Sequence, residues 1–151
     1  MRTIDRRKRQ AGVTLMELLI VVAIVSIISA FAYPSYTQFV VRSKRTAATG
    51  ALLQIADRQQ QYFMDNKRYA ASLTSLGYAN DSIMISDDGQ VVPDADADRV
   101  YNIQISASNI VTYELTATPQ LKQAERDAKC GNLTLTNTGT RGQSGAGSNC
   151  W

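Results

Sequence analysis

Across 151 residues the chain carries 16 Lys and Arg against 13 Asp and Glu, with no His, for a net charge of +3. That length suggests one domain, and the lack of His removes the commonest general base and the commonest metal ligand. The basic excess is concentrated at the start: Arg2, Arg6, Arg7, Lys8 and Arg9 precede Ala11, and beyond residue 12 there remain 11 basic and 12 acidic side chains. The balance is therefore a topology signal rather than a nucleic-acid signal, and by the positive-inside rule it predicts a cytoplasmic N-terminus.

Val13 to Tyr33 follows as an almost unbroken apolar run. As a helix, at ~1.5 Å per residue, it would be about 31 Å long, close to the ~30 Å hydrocarbon core of a bilayer. Glu17 interrupts the run, where a carboxylate costs at least ~2.5 kcal/mol, so a partner for it is expected. A secretory signal or a simple signal anchor shares the basic region and apolar core, but the core of a cleavable signal is only ~7–15 residues. Ala30-Phe31-Ala32 has the look of a small-residue cleavage site, yet Pro34 and the helical pattern beyond it do not suggest a mature N-terminus.

The junction Gly12-Val13-Thr14-Leu15-Met16-Glu17-Leu18 resembles that of the type IV pilins, with Val13 in place of the usual Phe and Met16 in place of Ile or Leu. The resemblance implies a leader ending at Gly12, cleavage between Gly12 and Val13 by a prepilin peptidase, and N-methylation of Val13 by the same enzyme. It also implies storage in the inner membrane and then assembly, through the apolar helix and the pilus machinery, with other pilin subunits into an extracellular fibre. The new amine of Val13 would lie about 6 Å along the helix from Glu17. A neighbouring helix staggered by one turn would bring its own amine to that carboxylate, making Glu17 a register device.

After Pro34, where a kink is expected, Phe39, Val40, Val41, Ala47, Ala48, Ala51, Leu52, Ile55, Ala56, Tyr62 and Phe63 recur at helical spacing. Arg42, Lys44, Arg45, Asp57, Arg58 and Gln59-Gln60-Gln61 are assigned to the polar face. One helix is thus predicted from about Val13 to Met64, stopping at Asp65-Asn66-Lys67. Residues 71–100 read as mostly irregular, with a short strand at Ser82 to Ser86 and turns at Asp87-Asp88-Gly89 and Pro93. Asp94, Asp96 and Asp98 do not make an EF-hand, because the sixth and twelfth loop positions are Arg99 and Ile105; a solvated acidic loop is expected.

Strict alternation then predicts a hairpin, with Tyr101, Ile103 and Ile105 facing inward on one strand and Val111, Tyr113, Leu115 and Ala117 on the next. Pro119 ends it. A partly helical link from Gln120 to Lys129 leads to a third strand, Asn132 to Thr136. The fold class is α+β: a long N-terminal helix whose amphipathic half covers the apolar face of a small antiparallel sheet. The chain divides into leader 1–12, membrane and filament-core helix 13–33, and a periplasmic or extracellular head 34–151.

Cys130 and Cys150 lie on the translocated side, where disulfides persist. Between them Gly139, Gly142, Gly145 and Gly147 sit among Thr, Ser and Asn, which reads as exposed loop. Gln60 to Ala70, Cys130-Gly131-Asn132-Leu133-Thr134-Leu135 and Cys150-Trp151 resemble the small minor pilins, some of which bind DNA. Lys122, Arg126, Lys129 and Arg141 are the candidate DNA contacts, although Glu125 and Asp127 interrupt them and no interleaving of basic and aromatic residues is visible. A type II secretion pseudopilin shares the N-terminal motif. No catalytic constellation, metal cluster or cofactor motif can be assembled.

Overall fold

A computed structural model describes residues 13–151; the expected leader 1–12, with Gly12 at its end, lies outside the described residues. Helix α1 runs from Leu15 to Asn66 as one element of 52 residues. Thr14 caps its start: its hydroxyl accepts the Glu17 N–H at 3.2 Å and its carbonyl the Leu18 N–H at 3.2 Å. Pro34 lies within the helix. The end is closed by Lys67, left-handed at φ +56°, whose N–H reaches the Phe63 carbonyl at 2.8 Å and whose ammonium reaches that of Met64 at 2.8 Å.

The chain separates into two compact units, divided after Thr37. In the first, the large apolar side chains of α1 are exposed, from 50% for Ile20 to 77% for Phe31. An apolar surface of that extent needs lipid or other apolar helices around it.

The second unit, from Gln38 onward, is built on a six-stranded antiparallel sheet of order β2-β1-β3-β4-β5-β6. Its strands are β1 (Ser82–Ser86), β2 (Val91–Val92), β3 (Arg99–Ser108), β4 (Tyr113–Pro119), β5 (Leu133–Thr136) and β6 (Arg141–Gln143), and helix α2 (Leu121–Arg126) joins β4 to β5. Period-two alternation decides the inner face: Ile103 pairs with Ala117, and Leu115 with both Ile105 and Leu135. Leu52 and Ile55 of α1 join Tyr101, Ile103, Leu115 and Leu133 in one core, all fully buried.

Several sequence expectations change. Gln59, assigned to the polar face, is fully buried: its side chain donates to the Ala70 carbonyl at 3.0 Å and accepts the Ala70 N–H at 2.8 Å, satisfying a stretch of backbone that no strand pairs. Phe39, counted on the apolar face, is 68% exposed, and Val111, counted as inward, is 63% exposed. Val111 belongs to the β3–β4 turn, where the Asn109 carboxamide accepts the N–H groups of Val111 and Thr112. The segment 71–100 is more ordered than expected, with β2 pairing on β1 and a 3-10 turn at Thr74–Leu76. Part of the glycine-rich stretch is strand β6 rather than loop.

Candidate functional site

Arg45 was expected on a polar, solvated face. Its side chain is instead only 12% exposed and forms an ion pair with Asp127, itself 2% exposed. Arg45 Nε donates to Asp127 Oδ2 at 2.9 Å, Nη2 donates to Oδ1, and Nη1 donates to the Asn149 carbonyl at 3.2 Å. The Tyr101 hydroxyl donates to the same carboxylate at 2.8 Å, and Gln123 Nε2 lies 3.3 Å from it and 3.2 Å from the Val41 carbonyl. A buried carboxylate thus has donors on every side, the condition under which a buried charge is tolerated. The Asp127 bond holds the Arg45 guanidinium above its ordinary value, while burial, reinforced by Asp127, pushes the Tyr101 phenol up. This junction ties α1, β3 and α2 together and fixes the orientation of α2.

On α2, Lys122 and Arg126 are exposed and stand one turn apart, with exposed Lys129 just beyond. A half-open groove of about 500 Å³ beside them is lined by Lys44, Arg99 and Lys122, with Asp87, Asp98 and Glu125 also on its walls. Asp127, which appeared to interrupt the basic run, points inward to Arg45 and leaves that run. Arg141 opens β6, and its guanidinium lies over the Trp151 ring at 5.5 Å. Nine residues lie between them in sequence, so this pairing of a basic with an aromatic side chain arises only in the folded chain.

Cys130 and Cys150 are joined in a disulfide, Cα to Cα 5.6 Å apart. The segment it closes is zipped to its own start: Gly145 N–H bonds to the Cys130 carbonyl at 3.0 Å, Gly147 N–H to that of Lys129 at 2.6 Å, and the Trp151 indole N–H to that of Gly142 at 2.7 Å. The closed segment thereby carries Arg141 and is flanked by Lys129 and Trp151, one residue outside either end. Asp94, Asp96 and Asp98 lie in the loop before β3, where Asp96 accepts the Asp98 N–H at 2.8 Å. Among the described residues, no group of three or more His, Cys, Asp or Glu side chains is placed to hold a metal ion.

At the other end of the chain, Val13 and Glu17 are both exposed, Glu17 in the first turn of α1. Gly12 lies outside the described residues.

Comparison with known proteins identifies both halves of this architecture. Residues 7–33 match the prokaryotic N-terminal methylation motif, and residues 34–134 match the family described as "Type IV minor pilin ComP, DNA uptake sequence receptor". The chain is similar to the type IV major pilin protein PilA of Myxococcus xanthus, 38% identical over 71 residues, covering 47% of this chain and 32% of PilA. It is 27% identical over 117 residues to a fimbrial protein of Pseudomonas aeruginosa, covering 74% of this chain and 69% of that one. Against the type IV major fimbrial protein FimA of Dichelobacter nodosus the identity is 44% over 55 residues, 34% of each chain. The chain therefore matches about a third of the length of PilA and FimA. Among solved structures, a type IV pilin from Shewanella oneidensis is similar at a TM-score of 0.47 and 21% identity, covering 74% of this chain and 97% of that one.

A methylation motif, an apolar helix and a helix-on-sheet head with a C-terminal disulfide define a type IV pilin, a structural subunit of a pilus. Within that class the chain belongs to the ComP minor pilin family.

Proposed function

We propose that this minor pilin binds double-stranded DNA at the pilus surface, its head contacting the phosphate backbone through Lys122, Arg126, Lys129 and Arg141. The observation that carries this reading is the cation arrangement: Lys122 and Arg126 share one face of α2, Lys129 follows them, and Trp151 braces Arg141. Arg126 in the last turn also suits the helix dipole. The family's DNA-uptake description supports the same reading.

Phosphate contacts of this kind release about 0.9 counterion each, so four predict a slope of log affinity against log salt near −3.6. Affinity should then fall roughly a hundredfold between 50 and 200 mM salt. The test is fluorescence anisotropy of the full chain in detergent with labelled duplex DNA over a salt series. Lys122→Ala or Arg141→Ala should each flatten the slope by about one unit. Absence of binding at low salt overturns the proposal.

For the N-terminal part, the proposal is cleavage between Gly12 and Val13 by the prepilin peptidase and N-methylation of Val13. Before assembly Val13 to Tyr33 would span the inner membrane, with the N-terminus cytoplasmic and the head in the periplasm. The assembly machinery then brings the apolar helix among those of other pilins, where Glu17 pairs with a neighbour's terminal amine. The methylation motif over residues 7–33 and the membrane-length apolar stretch support this order of events. Mass spectrometry of filaments sheared from cells should find N-methylated Val13 as the first residue. An intact Gly12–Val13 bond would overturn the processing step.

A further inference from the structure

We infer that Arg45 is the positioning residue for the DNA-contacting surface: one guanidinium holds both ends of the disulfide-closed segment, and with it Lys129, Arg141 and Trp151, against helix α1. This rests on the DNA reading above. Its geometric basis is the place of the two acceptors. Asp127 lies three residues before Cys130, and Asn149 immediately before Cys150. Arg45 is 82 residues from the first and 104 from the second, so the clasp spans almost the whole head.

The path from the clasp to the surface is continuous. Asn149, left-handed at φ +57°, leads through Cys150 to Trp151, whose indole bonds the Gly142 carbonyl and whose ring lies beneath Arg141. On the other side Asp127 leads to Lys129, whose carbonyl takes the Gly147 N–H. The two ends are bonded to each other, so fixing them fixes the segment.

Only a planar fork serves here. Nε and Nη2 engage the two oxygens of one carboxylate while Nη1 points outward to a third acceptor. A lysine ammonium supplies charge but not that geometry. Nor does Arg45 offer a phosphate contact like those of the exposed cations, since all three of its nitrogens already donate within the head and its side chain is only 12% exposed. Its influence on DNA must pass through the segment it holds.

The experiment compares full-length wild type, Arg45→Lys and Asp127→Asn in detergent, by amide hydrogen exchange and by the salt-dependent DNA titration. Exchange at Gly145 and Gly147 should accelerate at least tenfold in both variants while Ile103 and Leu115 in the central strands keep their protection. The salt slope should flatten by about one to two units as Lys129 and Arg141 leave register. Unchanged exchange in the closed segment overturns the clasp, and so does a loosened segment with an unchanged salt slope. If one variant fails to fold, the other decides. A wild type that ignores DNA defeats the binding reading, whereas unchanged segment exchange in a DNA-binding wild type defeats the clasp alone.

Discussion

At the residue scale, the buried phenols of the head set an alkaline limit on its stability. Burial is the first cause raising Tyr101, Tyr78 and Tyr113, and for Tyr101 the neighbouring Asp127 carboxylate adds to it. The unfolded chain loses these protons near pH 10, while the folded chain keeps them. Above that pH the unfolded state binds fewer protons, so stability falls as pH rises. The melting temperature of the full chain in detergent should therefore hold from about pH 7 to 9 and decline above about pH 10. Tyr101→Phe should soften that decline, while lowering stability at neutral pH by about 1.5–3 kcal/mol through the lost bond to a charged carboxylate. An alkaline decline identical in Tyr101→Phe and wild type would show that this phenol does not control it.

The same residues mark what sequence can and cannot disclose. Helical periodicity identified Leu52 and Ile55 as core because an apolar side chain declares its burial by its type. Arg45 and Gln59 went unrecognised for the complementary reason. A polar residue is buried only when partners distant in sequence complete it, here Asp127 and Asn149 for the one and the Ala70 backbone for the other. Nothing local in Thr46 or Gln60 distinguishes an engaged polar neighbour from a solvated one.

At the element scale, glycines decide the form of the closed segment. A Cβ on Gly145 would land on the Lys129 carbonyl, and one on Gly147 would lie 2.7 Å from the same oxygen. Both are backbone contacts that no rotamer change relieves. Gly145→Ala should destabilise the head by about 1–3 kcal/mol, in the range of overpacking substitutions. Gly50→Ala offers the control: nothing lies within 4 Å of its Cβ position, and the residue is in the helix, where Ala is favoured by about 1 kcal/mol. Thermal unfolding of the two variants should shift in opposite directions; a Gly145→Ala melt equal to wild type would refute the close-packing argument.

The strands follow the same division between local and distant information. Strands β3 and β4 were legible because five or more residues alternate on each, and β1 because its apolar pair Ile83 and Ile85 is spaced by two. The edge strands β2 and β6 hold two and three residues, too few to express a period, and exist because β1 and β5 offer them hydrogen bonds. The disulfide-bounded region looked like loop for that reason. The Arg141 and Trp151 pair likewise needed the return of the chain after β6 before it could be seen.

At the scale of the whole molecule, two units divided after Thr37 share one helix and place opposite demands on it. Its second half is settled by burial against the sheet, with Ala48, Leu52 and Ile55 fully enclosed. Its first half exposes Leu, Val and Ile all round, an apolar surface that the proposed assembly would cover first with lipid and then with other subunits. In the proposed assembly Glu17 would choose the register, because sliding would leave a carboxylate unpaired at a cost of at least ~2.5 kcal/mol. Glu17→Gln keeps the shape and removes the charge, so insertion into the membrane should persist while entry into filaments drops. Since about 1.4 kcal/mol is tenfold, a fall of at least tenfold is expected in the amount of the variant recovered from sheared filaments relative to its membrane pool. Thr14→Ala separates pairing from capping: it removes the hydroxyl that accepts the Glu17 N–H, fraying the helix start while leaving the carboxylate charged. If Glu17→Gln enters filaments as well as wild type, register is set by packing of the apolar face alone. If Thr14→Ala shows the same loss as Glu17→Gln, the first turn of the helix rather than the charge is what assembly requires.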